Sequence, residues 1–342
     1  MKKKKSAYAE AGVDIDVMMN SLKRIGKKVK QTNTSGVISE LGSFGGLFKS
    51  PGTDHLLVSS VDGVGTKLKV AHMANRHDTV GQDLVNHCVN DILVQGAKPL
   101  FFLDYLGAAA LEPAVFESVI SGFCKACKQN DMALLGGETA EMPGLYPAGE
   151  YDLVGTVVGT VERRKVITGK KIKKGNILIG LPSTGLQTNG YSLARKVIFD
   201  QAALSLDDHV PGTKITFEKA LLAVHKSYLK PVTAVMKKVD IRGMAHITGG
   251  GLYDNVPRVL PDGLDAVINT ENWKPQAIFS FIQEAGNINP EEMFRVFNMG
   301  IGYVLIVSLK DVESTLQILK REKQPAKIIG EIKQGTGKTV LL

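Results

Sequence analysis

The amino-acid sequence predicts an α+β protein with two domains. The chain has 342 residues, which is more than one hydrophobic core usually organises. Its strand-like segments do not alternate strictly with helix-like segments, and this favours a mixed architecture over a doubly wound parallel sheet. The basic, glycine-containing segment ERRKVITGKKIKKGN at 162–176 separates two apolar strands, as a domain boundary would. We therefore divide the chain into domains 1–168 and 169–342.

The spacing of apolar residues predicts the elements of each domain in order. The first domain is expected to contain an amphipathic helix at 14–31, the glycine-rich segment GSFGGLF at 42–48, strands at 56–61, 100–106, 132–136 and 152–161, and helices at 80–95 and 112–130. The second is expected to open on the strand NILIGLP, with helices at 189–203, 218–238 and 274–285 and strands at 264–268, 301–309, 326–331 and 338–342.

Composition limits the partners of this protein. The formal charge is +8, and Lys2 to Lys5 supply four of these charges. The remaining basic charge suits small anionic ligands, because the aromatic-interleaved basic stripe that binds single strands is missing from the sequence. No apolar run approaches the roughly 18 residues that span a bilayer, and no signal core follows the lysines. We therefore expect a cytoplasmic protein with neither nucleic-acid nor membrane partners.

The motif DGVGTK follows an apolar strand and raises the question of a phosphate-binding loop. Asp62 ends the strand, and Gly63, Gly65, Thr66 and Lys67 follow it. A Walker loop needs four residues between its first glycine and its Gly-Lys-Ser/Thr triplet, and this spacing is wrong for one. The glycines nevertheless permit close approach of another group to the backbone.

One face of the helix GQDLVNHCVNDILVQG carries short polar side chains. Asp83, Asn86, His87, Asn90 and Asp91 share that face, while the opposite face is apolar. An ordinary solvated face would carry Lys and Glu, and this one carries neither. Its amides and carboxylates have poor helix propensity. The pattern favours a face turned toward a polar site over the alternative of a solvated surface.

Further carboxylates follow the glycine pair in MALLGGETAEMPG. Gly136 and Gly137 end a strand and deliver Glu138. Together with Asp62 and Asp91, this residue makes a set of hard oxygen ligands of the kind that Mg²⁺ prefers. The alternative is that these acidic residues are ordinary loop and cap residues.

The second domain contains three glycine-rich segments, PSTGLQTNGYSLARKV, AHITGGGLYDNVPRVLP and FNMGIGYVLIV. The first of them leads into a helix N-terminus, which suits the binding of an anion.

These motifs, together with YAEAGVDID, TNGYSLARK and HITGGGLYDNVPRVLP, resemble the phosphoribosylformylglycinamidine cyclo-ligase family, also called aminoimidazole ribonucleotide synthetase, in collinear order from about residue 8 onward. The resemblance implies a fold shared with thiamine-monophosphate kinase. In that fold the N-terminal sheet pairs across a homodimer into a β-barrel, and the C-terminal sheet is covered by helices. The resemblance also implies a site that binds ATP through Gly45, Gly46, Asp62, Gly63, Gly65, Thr66, Lys67, Asn90, Asp91, Gly136, Gly137, Glu138 and Thr139. Mg²⁺ would be held by Asp62, Asp91 and Glu138, and the catalytic residues would be Asn189 and His246.

The reaction that this resemblance implies converts formylglycinamidine ribonucleotide and ATP into aminoimidazole ribonucleotide, ADP and phosphate. ATP phosphorylates the amide oxygen, and the amidine nitrogen then closes the ring. Many relatives carry histidine just before the Ser/Thr-Asn-Gly-Tyr-Ser motif, but this chain has Gln187, which cannot act as a base. We therefore expect His246 or water to serve as the base, and the further alternative is that position 187 only orients the substrate. The alternative functions are a small-molecule kinase with the same Mg-ATP apparatus and a basic nucleic-acid-binding protein.

Overall fold

A computed structural model describes residues 6–11, 31, 35–39, 44, 46–50 and 54–342. The predicted helix at 14–31 lies almost wholly outside these residues, and so does Gly45 of the predicted nucleotide site. Within the described residues, no helix is both long and apolar enough to cross a bilayer.

The N-terminal half contains a five-stranded sheet with two long helices on one face. Its elements are α1 (Ala7–Glu10), β1 (Gly46–Lys49), β2 (His55–Gly63), α2 (Lys67–Met73), α3 (Asp78–Leu93), β3 (Lys98–Ala108), α4 (Pro113–Gln129), β4 (Ala133–Glu141) and β5 (Tyr151–Glu162). The strand order is β1-β2-β5-β3-β4, and all pairs are antiparallel except β3 with β4. Of these elements, the sequence did not predict α1, α2 or β1.

The C-terminal half contains a six-stranded mixed sheet. Its elements are β6 (Ile177–Pro182), α5 (Tyr191–Arg195) with a π-helical extension (Lys196–Gln201), α6 (Phe217–Leu221), α7 (Leu229–Met236), β7 (Gly243–His246), α8 (Gly251–Asn255), β8 (Leu264–Ile268), α9 (Ala277–Ala285), α10 (Pro290–Val296), β9 (Ile301–Val307), α11 (Val312–Arg321), β10 (Lys327–Gln334) and β11 (Thr339–Leu341). The strand order is β11-β8-β10-β6-β9-β7. Every residue of β9 is buried, so both faces of the sheet are covered there.

The predicted α+β class with two sheets is therefore confirmed. The predicted boundary between residues 168 and 169 falls in the segment that connects β5 to β6.

Helix α3 is central to the molecule, because its residues from Thr79 to Leu93 are all buried. Its apolar side packs on β2 and β5, and its N-terminal part crosses α4. A Cβ added at Gly81 would lie 2.4 Å from the Val119 carbonyl oxygen of α4, and one added at Gly122 would lie 2.7 Å from the Asp78 carbonyl oxygen. The two glycines therefore allow the helix backbones to touch and fix the position of α3.

The structure corrects one prediction of secondary structure. The sequence predicted a single helix over 218–238, whereas the chain forms α6 and α7 with a non-helical segment at 222–228 between them. Side chains of α3 supply the hydrogen bonds that helix backbone would otherwise make. Asn90 Nδ2 donates to the Lys226 carbonyl at 2.8 Å, and the Tyr228 N–H donates to Asn90 Oδ1 at 2.9 Å. These tertiary partners override the local helical pattern.

Candidate active site between the two domains

The polar face of α3 lies against the C-terminal domain and not against solvent. Asp83, Asn86, His87, Asn90 and Asp91 are each at most 7% exposed. Besides the contacts of Asn90, Asn86 Nδ2 donates to the His225 carbonyl at 2.8 Å, and the His225 N–H donates to Asp83 Oδ1 at 2.6 Å. The alternative of a solvated face is therefore excluded, because this face forms the polar contact between the domains.

Two carboxylates meet at the C-terminal part of this face. His87 Nε2 lies 2.7 Å from Asp62 Oδ2 and 3.9 Å from Asp91 Oδ2. The Ser60 hydroxyl donates to Asp91 Oδ2 at 3.2 Å, and the Gly63 N–H donates to Asp62 Oδ1 at 2.7 Å. Asp62 is the more accessible of the two, with its side chain 38% exposed against 10% for Asp91. The structure thus brings together two of the three predicted metal-binding carboxylates.

A continuous series of polar contacts joins these carboxylates through the second domain. Beyond its contact with Asp62, His87 uses Nδ1 to contact Thr188 Oγ1 at 2.7 Å, and Thr188 Oγ1 lies 3.2 Å from His225 Nδ1. The Nε2 atoms of His225 and His246 are 3.0 Å apart, and His246 Nδ1 is 2.7 Å from Asp91 Oδ1. We call the series Asp62, His87, Thr188, His225, His246 and Asp91 the histidine chain.

Burial and charge set the protonation of the three histidines in different ways. Burial works to lower the pKa of His87, but the carboxylates of Asp62, Asp91 and Asp83 outweigh it and raise that pKa to about 9. Burial lowers the pKa of His246, and Asp91 offsets only part of this effect. Burial, together with the neighbouring His246 and His87, holds the pKa of His225 well below its usual value. His87 is therefore cationic near neutral pH, whereas His225 and His246 are neutral.

The charge of His87 also affects Asp62. Burial works to raise the pKa of Asp62, but the His87 charge, its hydrogen bond and the Gly63 N–H together lower it. Asp62 is therefore ionised near neutral pH.

Lys67 points into the contact between the domains. Its Nζ lies 2.8 Å from Asp83 Oδ2 and donates to the carbonyl groups of Gln187 at 3.2 Å and Ala223 at 2.8 Å. Both charged side chains are fully buried, and burial lowers the pKa of Lys67 and raises that of Asp83. The sequence-based assignment of Lys67 to nucleotide binding stays a prediction, and the ammonium group is engaged here by the second domain.

The other residues of DGVGTK line the start of α2. Gly65 has a φ of +68°, a conformation that favours glycine. Thr66 Oγ1 lies 3.1 Å from Ser192 Oγ of α5, in the second domain. The motif therefore forms a tight turn where the two domains meet, beside the Asp62 carboxylate.

Two loops of the second domain face this turn and the carboxylates. The loop 187–190 contains Thr188 of the histidine chain and Asn189, and the loop 246–251 begins at His246. A Cβ added at Gly249 would lie 3.1 Å from Asn189 Oδ1, so the two loops are in close contact. The predicted catalytic residues Asn189 and His246 thus lie on two loops that contact each other, and His246 also contacts the predicted metal ligand Asp91.

Gln187 is 1% exposed, and its Nε2 donates to the Tyr228 hydroxyl at 3.2 Å. Within the described part of the chain, its Oε1 has no hydrogen-bonding partner.

Residues of the GGET motif lie elsewhere on the sheet. Gly136, Gly137, Glu138 and Thr139 are exposed on edge strand β4. The cross-strand register runs from Asp62 through β5 and β3 to Gly137, so Glu138 is three strands from Asp62, or roughly 14 Å at about 4.8 Å per strand. Within one chain, the structure does not bring Glu138 to the two aspartates.

Sequence reasoning missed three members of this site. Thr188 was noted only within a motif, and His87 was placed on the polar face of α3 without a role in the site. His225 was read as part of the helix at 218–238, and its sequence context AVHKSY carries no signal of a site. Only its backbone contacts with α3 bring it to the contact between the two domains.

Among the described residues, one group of His, Cys, Asp and Glu side chains is close enough to hold a metal ion. His87, Asp91 and His246 offer atoms that lie within 4.8 Å of one another. The histidine nitrogens are already engaged, since both nitrogens of His87 and of His246 contact members of the histidine chain. The oxygen atoms of Asp62 and Asp91 also accept hydrogen bonds, but each carboxylate has further lone pairs for a cation, and oxygen is the donor that a hard cation prefers.

Comparisons with known proteins match nearly the whole chain. Residues 42–161 match the family described as AIR synthase related protein, N-terminal domain, and residues 173–342 match the corresponding C-terminal domain. A phosphoribosylformylglycinamidine cyclo-ligase from Alkaliphilus metalliredigens (strain QYMF) is 46% identical over 340 residues, covering 98% of both chains. The protein of that name from Bacillus cereus (strain G9842) is 47% identical over 337 residues, covering 98% of this chain and 97% of the relative.

Solved structures of similar fold are more distant in sequence. Thiamine-monophosphate kinase from Stenotrophomonas maltophilia K279a has a TM-score of 0.61 and 15% identity, covering 93% of this chain and 94% of its own. Hydrogenase maturation protein HypE in complex with ATP has a TM-score of 0.60 and 16% identity, covering 96% of this chain and 92% of its own. At such identities these similarities establish the fold alone.

Proposed function

The chain belongs to the AIR synthase related family, and from this premise we infer that it is an ATP-dependent cyclo-ligase of de novo purine biosynthesis. It converts formylglycinamidine ribonucleotide and ATP into 5-aminoimidazole ribonucleotide, ADP and phosphate. The observation that carries this conclusion is the 46–47% identity with cyclo-ligases over 98% of the chain. The alternative of a small-molecule kinase is not favoured, because the thiamine-monophosphate kinase named above shares only 15% identity.

The cleft between the domains suits the chemistry of this reaction. An amide carbonyl is a poor electrophile, and its oxygen becomes a leaving group once ATP has phosphorylated it. Phosphoryl transfer mainly requires positioning and neutralisation of charge. The DGVGTK turn lies beside the Asp62 carboxylate, which accepts from the Gly63 N–H. The loops 187–190 and 246–251 come from the second domain and contact His87 and Asp91 through Thr188 and His246. We assign ATP to the first side and the ribonucleotide to the second.

We propose that Mg²⁺ accompanies ATP and is held by Asp62 and Asp91. Their oxygen donors are of the kind that Mg²⁺ prefers, and Asp62 is accessible from the cleft. When bound, the ion would neutralise charge on the transferred phosphoryl group. His87 contacts both carboxylates and keeps them oriented toward the proposed Mg²⁺ position.

Binding of Mg-ATP, measured by calorimetry, tests the role of Asp62. Asp62→Asn is expected to weaken this binding while the protein stays folded. Unchanged affinity would remove Asp62 from the site.

We also propose a homodimer in which the N-terminal sheets face each other. The sheet face opposite α3 and α4 carries large exposed apolar side chains, with Val61 62%, Leu103 38% and Leu135 63% exposed. Val61 and Leu103 flank Thr156 of β5 in the cross-strand register, so they form one row on this face. This exposed apolar row supports the proposal that a second copy packs on it, in the β-barrel arrangement that the family resemblance implies. It also offers a route by which Glu138 of the partner subunit reaches the aspartates.

A complementation experiment tests this arrangement. Asp62→Asn and Glu138→Gln dimers are each expected to lose activity, and mixing them under conditions of subunit exchange is expected to restore part of it. Activity that does not return on mixing would show that each chain uses its own Glu138. A Glu138→Gln dimer that keeps full activity would show that Glu138 has no role.

The base that removes the proton during ring closure is assigned to His246, with Asn189 orienting the substrate beside it. Gln187 is excluded as a base by its chemistry. His246 is neutral, and its Nδ1 contacts Asp91, which would stabilise the imidazolium. To accept the proton, Nε2 would have to exchange its 3.0 Å contact with His225 for the substrate. His246→Asn is expected to lose turnover while retaining binding of ATP. Unchanged turnover would leave water as the base.

The function itself is tested by Mg-ATP-dependent conversion of formylglycinamidine ribonucleotide. The aminoimidazole product is followed by diazo coupling, and ADP is measured in parallel. Equal amounts of both are expected. ADP without aminoimidazole would indicate a kinase or uncoupled hydrolysis.

The proposed reaction consumes ATP and a phosphorylated precursor, and this supports the cytoplasmic location expected from the sequence.

A further inference from the structure

The N-terminal motif YAEAGVDID carries part of the family resemblance, but the proposed function assigns it no role. The structure describes Tyr8 to Ala11 of this motif, in helix α1 and at its C-terminal end. The helix begins with a side-chain cap, since the Ala9 N–H donates to Ser6 Oγ at 3.1 Å. Although the motif precedes the N-terminal sheet in the chain, α1 lies against α5 and α10 of the second domain.

Several contacts hold α1 on the second domain. The Tyr8 N–H donates to Glu292 Oε1 at 3.0 Å, across 284 positions of the chain. Glu10 Oε2 lies 3.9 Å from Lys196 Nζ at the surface. The side chain of Tyr8 is half-buried and packs against the hydrophobic core. A backbone hydrogen bond, an ion pair and apolar packing together fix where the Tyr8 hydroxyl lies.

The Tyr8 hydroxyl reaches the loop 187–190. The Gly190 N–H donates to it, and burial raises the pKa of Tyr8, so the acceptor is a neutral phenol. Gly190 is buried and has a φ of +78°, a conformation that favours glycine. A buried backbone N–H that lacks a partner costs free energy. Tyr8 therefore satisfies a buried donor in the last residue of this loop.

The rest of the loop is also held by the N-terminal half of the chain. Three of its four residues contact side chains from that half. These contacts are the Gln187 carbonyl with Lys67 Nζ at 3.2 Å, Thr188 Oγ1 with His87 Nδ1 at 2.7 Å, and the Gly190 N–H with the Tyr8 hydroxyl. The fourth residue, Asn189, is less buried, and it is the one that the proposed function places beside the substrate.

We propose that Tyr8 is a positioning residue for the cyclo-ligase reaction, and that its hydroxyl fixes the end of loop 187–190 next to Asn189. Lys67 and His87 hold the beginning of the loop, so Tyr8 supplies the support on the other side of Asn189. With both sides held, Asn189 faces the ribonucleotide in one orientation. The inference deepens the proposed function and rests on it where it concerns turnover.

The variant Tyr8→Phe removes the hydroxyl and keeps the ring. Because a buried N–H then loses its partner, kcat/KM for formylglycinamidine ribonucleotide is expected to fall about tenfold, mostly through a rise in KM. The KM for ATP is expected to change by less than about twofold, because ATP is assigned to the DGVGTK side of the cleft. A purely structural role would reduce the amount of folded enzyme, and this would lower kcat and leave both KM values unchanged.

The matched control is Glu10→Gln on the same helix. It removes the ion pair with Lys196, whose side chains are 50% and 31% exposed, and its kinetic constants are expected to equal those of the wild type. Glu292→Ala removes the acceptor of the Tyr8 N–H and is expected to raise the KM for the ribonucleotide as Tyr8→Phe does. Wild-type kinetic constants in Tyr8→Phe, or a loss of kcat with both KM values unchanged, would overturn the proposal.

Hydrogen exchange of the Gly190 amide measures the contact itself, without substrates. This amide is expected to exchange about tenfold faster in Tyr8→Phe than in the wild type, and at the wild-type rate in Glu10→Gln. An unchanged rate in Tyr8→Phe would refute the contact even if turnover is impaired. A wild-type protein that makes no aminoimidazole would instead refute the function, and the exchange rates would still decide whether Tyr8 holds the loop.

Discussion

Removal of the buried charge of Lys67 is expected to destabilise the contact between the domains. Lys67 and Asp83 are both 0% exposed, with 2.8 Å between Nζ and Oδ2. Lys67→Met fills a similar volume but leaves the Asp83 carboxylate buried without its cation. Breaking a buried ion pair in this way costs about 3–5 kcal/mol. At about 2 °C per kcal/mol for a protein of this size, the Tm should fall by roughly 6–10 °C.

The loss of stability in Lys67→Met should also depend on pH, and the direction of this dependence follows from the pKa of Asp83. Burial raises the pKa of Asp83 even beside Lys67, and removal of the lysine charge raises it further. A carboxyl group with a raised pKa in the folded state binds protons more strongly there than in the unfolded chain. Stability therefore falls as the pH rises from the unfolded pKa through the folded pKa, by up to about 1.4 kcal/mol per pH unit. The Lys67→Met variant should accordingly be closest to the wild type in acid.

The assay is thermal unfolding of the variants between pH 5 and pH 8. Lys69→Met is the matched control, because Lys69 lies on the same helix and pairs with Glu150 at the surface, where the side chains are 41% and 30% exposed. This change should cost about 1 kcal/mol or less. Adding Asp83→Asn to Lys67→Met should restore part of the stability, since the amide oxygen still accepts from the His225 N–H. A Lys67→Met protein with the stability of the wild type at pH 8 would refute the reasoning.

Three further predictions concern packing, assembly and pH. Gly81→Ala places a Cβ 2.4 Å from a backbone carbonyl of α4 and should lower the free energy of unfolding by about 1–3 kcal/mol, whereas Gly136→Ala meets no atom within 4 Å and should change it by less than about 0.5 kcal/mol. Leu135→Lys should convert the dimer to monomers in light scattering, and Leu309→Lys, 71% exposed in the other domain, should not; a dimeric Leu135→Lys would contradict the proposed interface. The pKa of His87 is raised to about 9, so its contribution to stability should be complete below pH 6.5 and lost as the pH rises through 9, as measured by chemical unfolding. His87→Gln should remove this pH dependence, and a slope that persists in the variant would assign it to another group.

The sequence allowed the N-terminal part of the site to be predicted because its signals are local. Asp62 stands at the end of an apolar strand, and helical periodicity places His87 and Asp91 on the polar side of one helix. Both features need only the geometry of a single element. The resemblance to the family added the expectation that Asp62 and Asp91 bind Mg-ATP. Glu138 has an equally local signal, but its distance from Asp62 depends on the order of strands in the sheet.

The positions of His225 and Lys67 could not be predicted from the local sequence. The apolar spacing of 218–238 indicates a helix, yet the chain leaves the helix at 222–228 because side chains 136–142 residues away satisfy its backbone groups. Lys67 follows two glycines like a phosphate-binding residue, but the burial of Asp83 against it directs its ammonium group to the second domain.

The amino-acid sequence by itself determined the two-domain α+β class, the family and the acidic face of α3, because periodicity and motif order are properties of the linear chain. Only the tertiary structure decided that this face is buried against the second domain, and that three histidines and a threonine join Asp62 to Asp91. The physical reason is that the free energy of a buried polar group depends on whether a partner reaches it. The partners here come from segments more than 100 residues apart in the chain.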